Sequence, residues 1–526
     1  MTNTAPPVQR TAMRAIPWFG VWRGLCIALW PRRMAGESLP DAAVQPWQHA
    51  ARRRRLALVT AVLLLGVAAA LLGPAAGIPP GWPLLLVALL FAWVGAGLVT
   101  ACMGAWVLWR GDRFALPPAE RAPIGRQART AIIMPICNEE IATVFGGLRA
   151  TCESLAATGA LPLFDIFILS DTPDPVLRAA EMQAWSELRA SLGDDGPTSS
   201  GGRVFYRHRR LRTARKAGNV ADFCRRWGAD YRYMVVLDAD SVMHGDTLVT
   251  MVRLMEQHPR AGILQTLPQP LGRDTLHARA QQFAARVSGR VFALGMAYWQ
   301  LGESHYWGHN AILRMQPFMA HCRMAPLPGR GGLSGHILSH DFVEAALMRR
   351  AGYEVWLLPE LGGSWEQTPP NLLDELQRDR RWCQGNLQNA RLIAEPGWQP
   401  AHRAMFATGA LSYLVAPLWL ALLACGTVAA VAVQASMGAV LLLAAMTIVL
   451  LLLPRMLGVA AIFLRKEQAS LGGGLRVLAG TALETVLSAL QAPVRMLAHT
   501  VFVFSALTGL RLEWRSPPRQ TQSVGW

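Results

Sequence analysis

Val235, Val236, Leu237, Asp238, Ala239, Asp240, Ser241 and Val242 read as a buried strand that ends in two carboxylates. Alternate residues of an extended chain point to the same side, so Asp238 and Asp240 share a face. If the strand opens into a loop there, both can face one cation. Neighbouring carboxylates repel, so a divalent ion is their natural partner. Hard oxygen donors suit Mg2+ or Mn2+ better than Zn2+. Mg2+ takes one or two carboxylates and fills its shell with water and substrate phosphates, which fits nucleoside diphosphate chemistry. The plain alternative is a surface turn with two solvated Asp residues, and a lone D-x-D favours it. The apolar strand in front and the motifs around it reverse that preference.

Strands and helices alternate on either side of this stretch. Apolar runs at 131–136, 164–169, 204–206 and 233–237 are separated by helical patterns at 141–155, 175–192 and 214–227. Such alternation predicts an α/β domain, a mostly parallel sheet with helices on both faces. Ligands of these sheets bind beyond the carboxyl ends of the strands. Cys137-Asn138-Glu139-Glu140, Asp171 and Asp238/Asp240 all fall at strand ends, which predicts one nucleotide site.

The whole chain is too apolar for an ordinary soluble protein. Its 526 residues are 52% hydrophobic and 16% charged, with Leu-rich runs beyond the central region. Residues 56–72 and 82–109 read as two transmembrane helices, each near the ~20 residues a span requires. Arg52, Arg53, Arg54 and Arg55 place the N-terminus in the cytoplasm by the positive-inside rule. Residues 404–433 and 437–464 read as two more spans. Residues 475–510 carry Glu484, Gln491, Arg495 and His499, costly at membrane depth unless they face a bundle interior or wet cavity. They are expected to form an interfacial helix followed by a span near 494–510, with one or two crossings left open. The layout is thus a 1–55 cytoplasmic segment with an interfacial helix at 16–30, a 56–109 hairpin, a 110–403 cytosolic domain with interfacial helices, a 404–510 membrane α-helical bundle and a 511–526 tail. The apolar stretch near Trp18 to Trp30 is too short and too interrupted by Arg23 for a typical cleavable signal.

The net charge of +17 comes mostly from Arg. Anionic lipid headgroups and a polyphosphate substrate account for it. A nucleic-acid partner is not expected, because no aromatic-basic platform accompanies the Arg residues. The eight Cys are scattered without a C-x-x-C pair, so neither a zinc site nor a disulfide framework is indicated.

Further groups carry chemistry. Lys216-Ala217-Gly218-Asn219 closes a basic segment starting at Arg203. A Lys beside a Gly can approach phosphate as a point charge; most of the Arg residues of the segment are expected to form a solvated face. Asp341 in Ser339-His340-Asp341 stands at a helix start. It is either a cap or a base for a sugar hydroxyl. In Gln377-Arg378-Asp379-Arg380-Arg381-Trp382, Arg380 and Arg381 can neutralise a leaving diphosphate, and Trp382 offers a ring to an acceptor sugar. An interfacial helix with snorkelling Arg and an anchoring Trp is the alternative. In Tyr306-Trp307-Gly308-His309-Asn310, Tyr306 is expected in the core and His309 as a hydrogen-bonded structural residue.

PICNEE, Ser170-Asp171, KAGN, DAD, SHD and RDRRW resemble, in order and spacing, the motifs of the processive family 2 glycosyltransferases. The segments SHDFVEAALMRRAGYEVWLLPE and ELQRDRRWCQGNLQNARL are especially similar to the glucans biosynthesis glucosyltransferase H branch, makers of periplasmic glucan. The resemblance covers roughly residues 50–515. It implies a cytosolic GT-A-like fold between transmembrane helices in a bacterial inner membrane, inverting transfer of glucose from UDP-glucose to a growing β-glucan, and export of that glucan. By the same resemblance Pro135, Cys137, Asn138, Glu139 and Asp171 hold the uridine, and Lys216 lies near the diphosphate. Asp238 contacts the nucleotide and Asp240 the metal, Asp341 is the base, and Arg380, Arg381 and Trp382 back the acceptor site. It further implies a β-1,2 backbone, a periplasmic glucan-modifying protein and an acyl carrier protein as partners. Two departures stand out against cellulose synthases: Arg378 occupies the usual Gln position of Q-x-x-R-W, and His340 precedes the base. The chain also looks short for the family at both termini. Another β-polysaccharide, a lipid-phosphate acceptor, or a scaffold with an inactive transferase domain remain alternatives.

Overall fold

The four apolar runs become adjacent strands of one sheet. The computed structural model describes residues 6, 8–20, 45–193, 203–432 and 436–509. Two apolar helices, α1 (Pro46–Leu72) and α2 (Trp82–Arg110), come first. Strict alternation follows: β1 (Thr130–Ile136), α3 (Ile141–Ala157), β2 (Phe164–Ser170), α4 (Pro175–Ser191), β3 (Val204–His208), α5 (Arg215–Trp227) and β4 (Tyr233–Val236). The central region continues with β5 (Val242–Met243), α6 (Gly245–Gln257), β6 (Ala261–Thr266), β7 (Gln269–Pro270), α7 (Leu276–Ala284) and α8 (Arg290–Gln300). It closes with β8 (Ala311–Arg314), α9 (Met315–His321), α10 (His340–Arg350), β9 (Glu354–Leu358), β10 (Ser364–Glu366) and α11 (Leu372–Ala390). Three long helices end the described chain: α12 (Pro400–Ala432), α13 (Met437–Leu464) and α14 (Gly474–Thr508).

The main sheet has seven strands in the order β3-β2-β1-β4-β8-β6-β9. All its pairs are parallel except those of β8, which runs antiparallel to β4 and β6. Alternation along the strands sorts the core into two layers. Ile132, Met134, Ile166 and Val235 pack with Val144 and Leu148 of α3. Ile133, Phe167, Leu169 and Val236 pack with Phe223 and Trp227 of α5 on the other face. β6, β8 and β9 did not stand out in the sequence, nor did the small sheet β5-β10-β7. Their strands are short or sit between helices, where periodicity is a weak guide.

Among the described residues, five helices are long and apolar enough to cross a membrane: α1, α2, α13, α14 and the Pro400–Val428 part of α12. α1 starts ten residues before the expected boundary and takes the Arg run into the helix. Arg54 grips Asp112 through two 2.7 Å contacts, and Arg55 reaches Glu303 at 2.5 Å. The hairpin is thereby keyed to the central domain.

Two expectations change. Residues 475–510 were read as an interfacial helix plus a separate span; α14 is one continuous helix with Pro493 inside it. Its polar groups are satisfied along one face: Glu484 by Arg455, Arg495 by Glu375 and His499 by Asp379. Nothing there forces a break. The helix expected at 16–30 is not formed over 16–20. That stretch lies against the central domain, with Trp18 Nε1 donating to the Ala325 carbonyl at 2.7 Å. Residues 21–44 and the 510–526 tail lie outside the described residues.

Candidate active site

β1, β2 and β4 end side by side, and the loops that leave them wall one cleft. Asp171 N donates to the Ile136 carbonyl at 2.8 Å, and Leu237 N to that of Ile133 at 2.9 Å. These bonds hold the three strand ends in register. Asn138 after β1, Ala214 and Arg215 between β3 and α5, and Asn310 just before β8 hold positive φ. Strained backbone of this kind persists where surrounding structure enforces it.

At the first wall, Pro135, Cys137, Asn138 and Glu139 follow β1. Asn138 N donates to Thr172 Oγ1 at 2.8 Å, and Thr172 Oγ1 to Glu181 at 2.5 Å. Glu181, buried on α4, also accepts from Ser170 and Tyr206, each at 2.7 Å. Asn138 Oδ1 is buried without a hydrogen-bond partner. Asp171 lies beside these residues, but its carboxylate is taken by Arg209 at 2.9 and 2.6 Å. Arg209 and Arg207 are both buried, against the expected solvated basic face; Arg207 pairs with Asp222 at 3.4 Å. Arg210, Arg212 and Arg215 are exposed as expected.

Lys216 stands on the first turn of α5. Asn219, one turn on, donates to the Leu169 carbonyl at 2.8 Å and pins that turn to the end of β2. A side chain at Gly218 would put its Cβ 1.9 Å from the Thr213 carbonyl oxygen, so glycine is required for this approach. Lys216 Nζ donates to Asp238 and, at 2.8 Å, to the Gly308 carbonyl.

Asp238 and Asp240 are brought together by a turn, not by strand alternation. Ser241 N donates to the Asp238 carbonyl at 3.0 Å, and Ser241 Oγ accepts from Asp238 N at 3.0 Å. Burial alone would raise the Asp238 carboxyl, but Lys216 and His309 outweigh it and hold it at about 2. Its side chain nevertheless keeps 38% exposure, so the cleft reaches it. For Asp240, burial and then the Asp238 charge push the carboxyl up to about 6. Asp240 accepts one weak bond, from Gln367 N at 3.3 Å.

The fit to a divalent ion follows from that donor set. Among the described residues no three or more His, Cys, Asp or Glu side chains form a ready-made cage. Two hard carboxylates beside an open cleft match the Mg2+ mode, in which phosphates complete the shell.

Asp341 opens α10 on the opposite wall. Burial raises its carboxyl, against the pull of His340 and Lys216. Arg381 on α11 is partly buried within the field of both Asp238 and Asp341. Arg380, one residue earlier, is exposed; successive helical residues diverge by about 100°. The structure therefore brings Lys216, Asp238, Asp240, Asp341 and Arg381 together and leaves Arg380 outside that group. Trp382 is 43% exposed, with Arg378 stacked 4.4 Å from its ring centre.

Sequence reading missed Glu181, Arg209, Glu366 and the place of His309. Tyr306 is in the core as expected. His309 is hydrogen-bonded as expected, to Glu366 at 2.6 Å, but it also lies 3.6 Å from Asp238. Its signal was adjacency to Gly308; Glu366 had none before β10 was known.

Residues 131–321 match the family described as Glycosyl transferase family 2, and residues 233–462 match Glycosyl transferase family group 2. A glucans biosynthesis glucosyltransferase H of Pseudomonas syringae pv. syringae is 46% identical over 583 residues, 100% of this chain and 71% of that one. Its counterpart in Pseudomonas aeruginosa PAO1 is 47% identical, covering 99% and 66%. That of Cupriavidus pinatubonensis is 55% identical, covering 84% and 53%. The chain thus spans between 53% and 71% of the length of these relatives. A solved mannosyltransferase of Pyrobaculum calidifontis, in complex with GDP-Man and Mn2+, is 16% identical, with TM-score 0.47 over 80% of this chain and 99% of that one. The α/β domain is GT-A-like and is flanked by membrane helices. With this identity running along its whole length, the chain belongs to the glucans biosynthesis glucosyltransferase H family, among the family 2 glycosyltransferases.

Proposed function

We propose that the protein is an inverting glucosyltransferase that polymerises glucose from UDP-glucose into a β-glucan at the cytoplasmic face of the bacterial inner membrane. One observation carries this reading: a lysine, two carboxylates, a candidate base and an arginine converge at strand ends beneath apolar helices. The family's name for its members supplies the glucan product.

Asn138 and its neighbours after β1 receive the uracil, where the unpartnered Asn138 Oδ1 can accept an imide N–H. Asp171 acts through Arg209, keeping the floor of that pocket in place. Asp238 and Asp240 hold Mg2+ or Mn2+, which when bound offsets charge on the diphosphate. Lys216 exchanges Asp238 for a phosphate oxygen as the donor enters. Asp341 takes the proton from an acceptor hydroxyl as its oxygen attacks the anomeric carbon. The bond from that carbon to the phosphate oxygen breaks, and UDP leaves with the electron pair. Arg381 meets the charge that develops on UDP. Burial raises the Asp341 carboxyl and so strengthens it as a proton acceptor. One in-line displacement needs no covalent nucleophile. Trp382 stacks on the acceptor sugar, and the membrane helices pass the glucan outward.

The β-1,2 linkage, the periplasmic glucan-modifying protein and the acyl carrier protein belong to this reading through the family alone. The test is incubation of purified protein with labelled UDP-glucose and Mg2+, followed by linkage analysis. Released UDP with a water-soluble β-glucan supports it. Label extracted into butanol would instead point to a lipid acceptor, and no UDP release to an inactive domain.

A further inference from the structure

The loop between α8 and β8 places His309 against the carboxylates. His309 Nδ1 lies 3.2 Å from the Trp307 carbonyl, and Nε2 lies 2.6 Å from Glu366. Each ring nitrogen therefore faces an oxygen, and the ring is held from both ends. Nδ1 also lies 3.6 Å from Asp238 Oδ2. Glu366 ends β10, which pairs antiparallel with β5, the strand directly after the Asp238–Asp240 turn. The next residue, Gln367, donates its N–H to Asp240 at 3.3 Å. Asn310 fixes the loop from beneath: its side chain donates to Ser364 Oγ at 2.9 Å and to the Trp365 carbonyl at 3.1 Å. One bonded unit therefore touches Asp238 through His309 and Asp240 through the β10 backbone.

We propose that His309 and Glu366 are a positioning pair that sets the spacing of Asp238 and Asp240 for a divalent cation bound with a nucleoside diphosphate. The inference rests on the reading of that cleft given above and adds two residues to it. Neither touches the reacting atoms. Glu366 anchors the ring, and the ring fixes where the Asp238 carboxylate sits. Supporting residues of this kind commonly govern metal affinity by about 10–100-fold.

The test is Mn2+ binding in the presence of UDP, read by electron paramagnetic resonance on detergent-purified protein. His309→Gln and Glu366→Gln are each expected to weaken Mn2+ affinity by about tenfold or more, with thermal unfolding unchanged. The double variant is expected to match the weaker single variant, because the two act as one unit. Affinities within about twofold of the parent, or losses that multiply in the double variant, overturn the proposal. Should one variant fail to fold, the other still decides it. Glucan synthesis by the parent protein is scored separately. A parent that binds Mn2+ with UDP but makes no glucan overturns the substrate assignment; unaltered binding in the variants overturns the pair.

Discussion

Lys216 and Asp341 both approach Gly308. Lys216 Nζ donates to the Gly308 carbonyl at 2.8 Å, and a Cβ added at Gly308 would lie 3.3 Å from Asp341 Oδ2. Gly308 also holds φ at 87°, which costs other residues about 1 kcal/mol or more. Gly308→Ala is expected to shift both groups and cut the rate by about 100-fold. Assaying labelled UDP-glucose turnover checks it; a parent-like rate would show that donor and base sides are not linked there.

Asp341→Asn removes the base and keeps the volume. Glucan synthesis should fall by about 10²–10⁴-fold, while UDP-glucose still binds as tightly as in the parent protein. Calorimetry beside the rate assay separates the two. Unchanged synthesis would leave Asp341 as a mere helix cap.

Asp240 has a pH signature. Its carboxyl ionises near 3.8 when unperturbed and near 6 in the folded, metal-free protein. The folded state therefore binds that proton more tightly, and stability falls as pH rises from 4 to 6. Asp240→Asn should raise the unfolding midpoint of metal-free protein by a few degrees at pH 7.5, with a gain that shrinks towards pH 4. Mn2+ with UDP should then stabilise the parent and not the variant. A lower midpoint at every pH would argue against a strained, cation-seeking Asp240.

The α11–α14 contact is a register of charged pairs. Arg495 grips Glu375, and one turn on His499 meets Asp379 at 3.1 Å. This ties the helix carrying Arg381 and Trp382 to the last long helix. Arg495→Gln should destabilise by about 2 kcal/mol, because it removes a charged two-contact partner from the buried Glu375 carboxylate, which keeps His277 at 3.0 Å and Gln281 at 2.8 Å. Glu375→Gln with Arg495→Gln should recover most of the loss. An additive double variant would show that the pair does not act as one.

Much of this was legible in the sequence, and the limits have physical causes. The first four strands could be read because each is an apolar run followed by turn chemistry, as in β4 and Asp238. β8 could not, because Ala311–Arg314 is four residues long and reverses direction within a parallel sheet. Asp238, Asp240, Lys216 and Asp341 stood in recognisable motifs. Arg209 hid among exposed arginines, and only the fold shows that it serves Asp171. Glu366 needed the β5–β10 pairing, a contact between residues more than 100 positions apart. Arg380 looked equivalent to Arg381 until helical geometry separated their faces.

The central claim is that Asp238 and Asp240 hold a divalent cation that carries the sugar nucleotide. A structure of the purified protein with Mn2+ and UDP tests it most directly. The expected result is metal density against both carboxylates, Lys216 turned from Asp238 to a phosphate, and uracil beside Asn138. UDP seated elsewhere, with no metal at Asp238 and Asp240, would contradict it.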